Sequence, residues 1–312
     1  MKLRRKSSLL VFAVSVLGCF LTTDGRADVM YAVTGAGYGG LGGTLSALYT
    51  VDTATAAATK IGDVMAGATQ LSHMTAIDFN PLTLVLYGVT SKSGATNGGL
   101  YTINRNTGAA TLVGTHTLNV PDISFRADGT LFAIDTNNTA MTSDLWTFNL
   151  STGAPSNVGS LTNATASNGG LAFNSTGTLY LKSTQDFYRV NTVTGVATLD
   201  LPIINSNSNN ALAFSPTTGL AYTVERQGTD LASNPKTHLF SMDLVNLSGG
   251  SVDSIEINPG ATGGIKWNGA NVPYVSALAF LPAPVPEPNG IITGTLALGL
   301  ITAFRRRRRS AV

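Results

Sequence analysis

Acid–base cleavage of a glycosidic bond needs two carboxyl groups, one on each side of the reacting bond. Three acids stand where a repeating β fold would turn them inward. Asp78 lies in AIDFN, Asp122 directly precedes ISFRADG, and Glu225 ends AYTVE. In a hydrolase they would serve as proton donor and base around a central channel. Three of the repeats carry Ala172, Ala213 or Ala279 at the place of Asp78. Turn or edge carboxylates are therefore the more ordinary reading.

Other chemistry is thinner. His73, His116 and His238 belong to no HExxH or HxH arrangement, so they read as surface or loop histidines and no metal is assigned to them. The run DTNNTAMTSD (Asp135–Asp144) gathers oxygen ligands that suit Ca²⁺. It lacks the glycine at the sixth position that a calcium hand needs, so it reads as a polar loop. Calcium is thus the one cofactor left open, and otherwise none is expected. There is no GxSxG nucleophile motif. The run GAGYGGLGG (35–43) has no phosphate-binding lysine and opens no helix, so it reads as a turn.

The elements that must carry these residues begin after the chain's ends are set aside. Lys2, Arg4, Arg5 and Lys6 precede an apolar run from Leu9 to Leu21, and Gly25-Arg26-Ala27 offers small residues at a cleavage site. Residues 1–27 are therefore expected to be a secretory signal peptide, removed by signal peptidase. Cys19 is the chain's single cysteine and lies inside that segment, so no disulfide is expected in the exported domain. The 312 residues contain 19 basic and 17 acidic side chains, but residues 28–304 keep only 9 basic against 16 acidic ones. The basic character belongs to the ends, and the acidic body excludes nucleic acid as a partner.

The body is rich in Thr, Val, Gly and Asn, with no sustained 3.6-residue period, and reads as all-β. It is also repetitive. A short strand ending in Phe recurs as AIDFN (76–80), ISFRADG (123–129), LAFNSTG (171–177), LAFSPTTG (212–219) and LAFLPA (278–283). The phenylalanines Phe79, Phe125, Phe173, Phe214 and Phe280 are spaced by 46, 48, 41 and 66 residues. The first four Phe strands are each followed by a strand with an aromatic (LYGV, LFAI, LYLK, AYTV), then by a third strand and a TG-type turn into a fourth. A unit of roughly 40 to 50 residues with four strands is the length of a propeller blade.

The two ends of the array complement each other. MYAVTG and LYTVDTATAAATKIGDV lack a Phe strand before them, and ALAFLP lacks strands after it. Joining them completes one blade and closes the ring, leaving no open outer sheet. The expected fold is a β-propeller of five four-stranded blades over residues 28–281, with six if Gly260–Pro273 supplies another. Small residues in the middle of the Phe strands (Asp78, Ser124, Ala172, Ala213, Ala279) let blades converge at the axis, and the aromatic strands fill the space between blades. The cadence resembles the β-propeller domains of secreted bacterial proteins, a resemblance that identifies no substrate.

The C-terminus carries the most specific signal. Residues 282–289 form a proline-rich linker, 290–304 a charge-free apolar segment, and 305–312 a tail with Arg305, Arg306, Arg307, Arg308 and Arg309. Fifteen residues of helix span about 22 Å, so a short transmembrane helix is expected, with snorkelling arginines on the cytoplasmic side. Val285-Pro286-Glu287-Pro288, the apolar run and the arginines, in this order, resemble the PEP-CTERM sorting signal. The resemblance implies that Pro286, Glu287 and Pro288 are read by an exosortase-type membrane enzyme. The implied setting is a Gram-negative-type bacterium that makes exopolysaccharide, with delivery to the cell surface or biofilm matrix. The expectation is an exported, non-catalytic propeller with a binding or structural role linked to exopolysaccharide; the alternative is a glycan hydrolase using Asp78, Asp122 and Glu225.

Overall fold

The computed structural model describes residues 28–35, 45–92, 98–137, 142–162, 164, 169–183, 185–204, 209–229, 235–247, 249–257, 264–272 and 274–282. The signal segment, the Pro286-Glu287-Pro288 motif, the apolar run and the arginine tail lie outside them.

The described chain is all-β, without a helix. The first strands are β1 (Met30–Thr34), β2 (Ala47–Val51) and β3 (Ala58–Asp63), followed by the small hairpin β4 (Met65–Ala66) and β5 (Thr69–Gln70). Four-stranded antiparallel sets follow. They are β6 (Met74–Phe79), β7 (Leu86–Thr90), β8 (Gly98–Ile103), β9 (Ala109–His116), then β10 (Ile123–Phe125), β11 (Leu131–Asn137), β12 (Thr142–Phe148), β13 (Pro155–Ser160). The next two are β14 (Gly170–Phe173), β15 (Leu179–Lys182), β16 (Asp186–Val190), β17 (Ala197–Ile204), and β18 (Asn209–Phe214), β19 (Ala221–Thr229), β20 (Pro235–Met242), β21 (Val252–Ile257). A two-residue parallel pairing of β17 with β21 links these last two sets into one eight-stranded sheet. The excess length before the last Phe strand carries the hairpin β22 (Lys266–Trp267) and β23 (Ala270–Asn271).

The last strand, β24 (Val275–Phe280), pairs antiparallel with β1 and heads the sheet β24-β1-β2-β3. The first and last strands of the described chain thus share one sheet, as the complementary end fragments imply. The five Phe strands β6, β10, β14, β18 and β24 touch in cyclic order, each next to the one before and the one after.

The packing between sets is one contact repeated. In each Phe strand the Phe turns toward the preceding set and meets an aromatic of its second strand. The pairs are Tyr31–Phe79, Tyr87–Phe125, Phe132–Phe173, Tyr180–Phe214 and Tyr222–Phe280, with ring centroids 5.1 to 5.7 Å apart. These offset and edge-on geometries are the favourable ones for aromatic pairs. The residue before each Phe faces the other way and lies directly opposite the aromatic of its own set. The register pairs are Asp78 with Tyr87, Ser124 with Phe132, Ala172 with Tyr180, Ala213 with Tyr222, and Ala279 with Tyr31. A small residue there leaves room for the next Phe beside the ring. The second-strand aromatics therefore pack between successive sets, against the Phe strand of the next one.

The TG turns pack outward in the same periodic way. Gly114 in β9 receives the turn Thr152-Gly153 of the following set, and a Cβ on Gly114 would stand 1.9 Å from the Thr152 carbonyl oxygen. Gly62 with Thr107-Gly108 and Gly159 with Thr194-Gly195 repeat the arrangement. Gly153 itself has φ +70°, and a Cβ there would lie 2.6 Å from Gly114 Cα. Both the conformation and the approach require glycine.

Two stability changes follow from this packing. Phe280→Ala, at the seam between the last and first sets, should lower the unfolding free energy by about 3–5 kcal/mol. Gly153→Ala should cost upwards of about 1 kcal/mol through strain. Urea unfolding followed by tyrosine and tryptophan fluorescence measures both; parent-like midpoints would contradict the packing argument.

Candidate functional site

The Phe strands enclose a cavity of about 120 Å³ at the end of the axis where their phenylalanines lie. Its wall is mostly apolar, with Phe79, Phe125, Phe173, Phe214 and Phe280 beside Leu171, Leu212 and Leu278, and with Pro81 and Pro282. Asp78 and Ser124 are its polar members.

The three acids of the sequence reading go to different places. Asp78 is half-buried and lines the cavity. Its Oδ1 accepts the Phe79 N–H at 2.8 Å, and its Oδ2 accepts the Phe125 N–H of the next set at 2.7 Å. Burial pushes its carboxyl up to about 7, and the two N–H donors and Ser124 offset this only in part. Asp122 is buried and does not belong to the cavity wall. Its Oδ1 accepts from Ile123 N at 2.9 Å, and its Oδ2 from Leu171 N at 2.8 Å and Leu212 N at 3.2 Å. One side chain thereby holds strands β10, β14 and β18. Burial raises its pKa well above the usual carboxylate range, and the nearby Asp78 charge adds to the effect.

Glu225 lies inside β19, which runs on to Thr229, so it does not end the strand. It is buried, opposite His238 of β20, and away from the cavity wall. Its charge acts on a residue that the sequence reading passed over: Lys182, the last residue of β15, fully buried in the adjoining set. Lys182 Nζ donates to the Ser183 carbonyl at 3.0 Å. Burial lowers its amine to about 7, against the opposing pull of Glu225. Nothing in LYLKS marks this lysine as buried, because the acid that faces it comes from a different repeat.

Two of the three histidines differ from the surface or loop reading. His116 is 3% exposed, packs edge-on to Phe148, and accepts the Leu118 N–H through Nδ1 at 3.2 Å. Burial depresses its pKa to about 4, so it is neutral. His238 is 5% exposed, and its Nδ1 bonds to the Glu256 carboxylate. His73 lies in the short link between β5 and β6 with Nδ1 on Ser72 Oγ at 3.0 Å. The Asp135–Asp144 run is not a loop throughout: Asp135 and Asp144 face each other across β11 and β12, and Asp135 accepts the Asn119 N–H at 2.7 Å. Backbone pairing claims residues that a calcium loop would need free to wrap an ion. Among the described residues no three His, Cys, Asp or Glu side chains gather to hold a metal ion.

The two ends of the axis are built differently. At the Phe end, strands are joined by short turns, most of them headed by an Asn, Asp or Ser that accepts N–H groups two or three residues on; the β10–β11 turn is headed by Arg126 instead. Asp52 takes Ala54 and Thr55, Asn149 takes Ser151 and Thr152, and Asn191 takes Val193 and Thr194. At the other end β7 stops at Thr90 and β8 begins at Gly98, β11 stops at Asn137 and β12 begins at Thr142, β17 stops at Ile204 and β18 begins at Asn209, and β19 stops at Thr229 and β20 begins at Pro235; most residues of these intervals lie outside the described ones. One end is thus a repeated turn face, and the other a loop face without a common sequence.

No family model matches the chain, and no curated protein matches it. Among solved structures it is similar to a chain of a nidogen/laminin complex, at 11% identity and TM-score 0.48, over 83% of this chain and 99% of that one. It is also similar to TolB from Acinetobacter baumannii, at 14% identity and TM-score 0.43, over 82% and 67%. A third likeness is to an exo-β-1,3-galactanase from Phanerochaete chrysosporium, at 13% identity and TM-score 0.46, over 64% and 54%. At these identities the likenesses carry no function.

The Asp78 shift fixes a sign. Its folded pKa lies above the ordinary carboxylate value, so its protonated form favours folding. That contribution is full below about pH 4 and is lost as pH rises through about 7. Burial of neutral His116 acts in the opposite sense over the lower part of that range, so the Asp78 contribution is read as a difference: the melting temperature of Asp78→Asn relative to the parent should rise from pH 5 to 8. Melting curves across that range check it; a parent slope unchanged by the substitution would contradict it.

Proposed function

We propose that the chain is an exported five-bladed β-propeller that acts by binding, delivered to the cell surface or matrix through its C-terminal PEP-CTERM-like signal. Its contact would be exopolysaccharide or a similar surface polymer, engaged by the loop face. The observation that carries this reading is the fate of the inward acids. Asp78 and Asp122 spend their oxygens on backbone N–H groups of neighbouring strands, and Asp78 is the one carboxylate among the described residues of the cavity wall. A hydrolase needs two carboxyl groups reaching one bond. The hydrolase reading would require a second acid at that wall.

In this reading a rigid ring presents connections of free length and composition on one face, as binding surfaces on repeat scaffolds commonly do. The acidic body suits a neutral or cationic polymer better than a polyanion. Export rests on residues 1–27, and sorting on Pro286, Glu287 and Pro288 with the apolar run and Arg305–Arg309.

Two experiments test this. Replacing Pro286, Glu287 and Pro288 by alanine should leave the domain folded and hold it at the inner membrane, seen by fractionation; unchanged surface delivery would refute the sorting assignment. A glycan-binding array with the exported protein, run beside a reducing-end hydrolysis assay, should give retention without product. Product formation abolished by Asp78→Asn would establish the hydrolase instead.

A further inference from the structure

Both ends of the described fold leave it at the same place. Met30 pairs with Phe280, and the Leu281 N–H donates to the Val29 carbonyl at 3.0 Å. Asp28 is tied to the turn of the β18–β19 hairpin, accepting from Thr217 Oγ1 at 2.8 Å and from Ser215 Oγ. Pro282 lines the mouth of the axial cavity. All of these lie on the turn face. The chain's two apolar segments are joined to these points by short stretches: 22–27 links the run ending at Leu21, and 283–289 links the run 290–304. Seven residues reach at most about 25 Å, whatever their conformation. A bilayer that holds either run must therefore lie close to the turn face.

That face carries apolar tips of the sort that rest on a lipid surface. Leu82, Val193 and Val245 are 62%, 80% and 85% exposed, each inside a turn whose heading Asn80, Asn191 or Asp243 bonds back to its backbone. Position 82 leads from Phe79 into β7, and 193 and 245 lie in the turns that follow third strands. All three sit at the Phe end of the axis.

We propose that the turn face is the membrane-facing side of the fold, with Leu82, Val193 and Val245 resting on the bilayer that holds the apolar run 290–304 and, until the signal peptide is removed, the run 9–21. The loop face points away from the membrane. This deepens the binding reading and rests on its export assignment: the surface free to meet a polymer is the one with variable connections. The partner is the lipid surface itself, recognised by apolar turn tips beside the chain's own anchors.

The test uses the full chain in vesicles of phosphatidylethanolamine and phosphatidylglycerol that contain brominated lipid. In a Cys19→Ser background, Val193→Cys or Val245→Cys marks the turn face, and Leu45→Cys or Ile204→Cys the loop face, each carrying a fluorescent label. All four positions are exposed, so melting should match the parent. Turn-face labels should be quenched roughly threefold or more than loop-face labels, as expected for groups at the acyl boundary. Equal quenching, or stronger quenching on the loop face, with a chain that floats with the vesicles, overturns this inference alone. A folded chain that does not float overturns the anchored reading and the inference together.

Discussion

The inner edges of the sheets meet at the axis, where no further strand remains to pair with them. Each Phe strand has one side bonded to its own sheet and the other side bare. A buried N–H without a partner is expensive, and an exposed edge invites pairing with another chain. Here side chains take the place of the missing strand. Asp122 accepts N–H groups from three strands, Asp78 from two, and Ser124 Oγ accepts the Phe173 N–H. Thr75 Oγ1 and Ser276 Oγ do the converse, donating to the carbonyls of Val120 and Met74. The acids at the axis are what lets separate sheets converge on it.

Everything else in the ring is arranged around that convergence. The Phe of one set occupies the space that a small residue leaves beside the aromatic of the set before, and the Thr-Gly turns dock on glycines of outer strands. Because the same contact recurs at each junction, closure requires only that β24 complete the first sheet. A ring closed in this way has little freedom in the backbone of its turn face, where the heading Asn, Asp and Ser side chains cap the turns and the Thr-Gly pairs dock on neighbouring strands. The intervals between strands that share no common sequence fall at the loop face, to which the proposed recognition is assigned.

Much of this was legible in the sequence. The recurrent Phe, the small residue before it, the aromatic of the next strand and the TG turns each correspond to a contact found in the structure. The complementary end fragments correspond to the β1–β24 pairing. Relations between repeats were not legible. The string AIDFN shows an acid pointing inward but not that Phe125 N–H waits for it, so Asp78 resembled a catalytic group. Lys182 and Glu225 are distant in sequence and become neighbours only when two sets pack. His116 and His238 lie in strands whose polar spelling hides their burial. The stretch Gly260–Pro273 accounts for part of the long last spacing, yet its described part, 264–272, holds only a hairpin of two two-residue strands, because the pattern of a Phe strand followed by an aromatic strand is missing there.

The central claim, that axial side chains replace the missing strand, is tested most directly by amide hydrogen exchange on the parent protein. The Phe125, Leu171, Phe173 and Leu212 N–H groups lie on bare strand edges, yet each donates to Asp78, Asp122 or Ser124. They should exchange as slowly as amides in the middle of the sheets, through global unfolding. Exchange at the rate of exposed loop amides would contradict the claim, and would return Asp78 and Asp122 to the status of uncommitted acids.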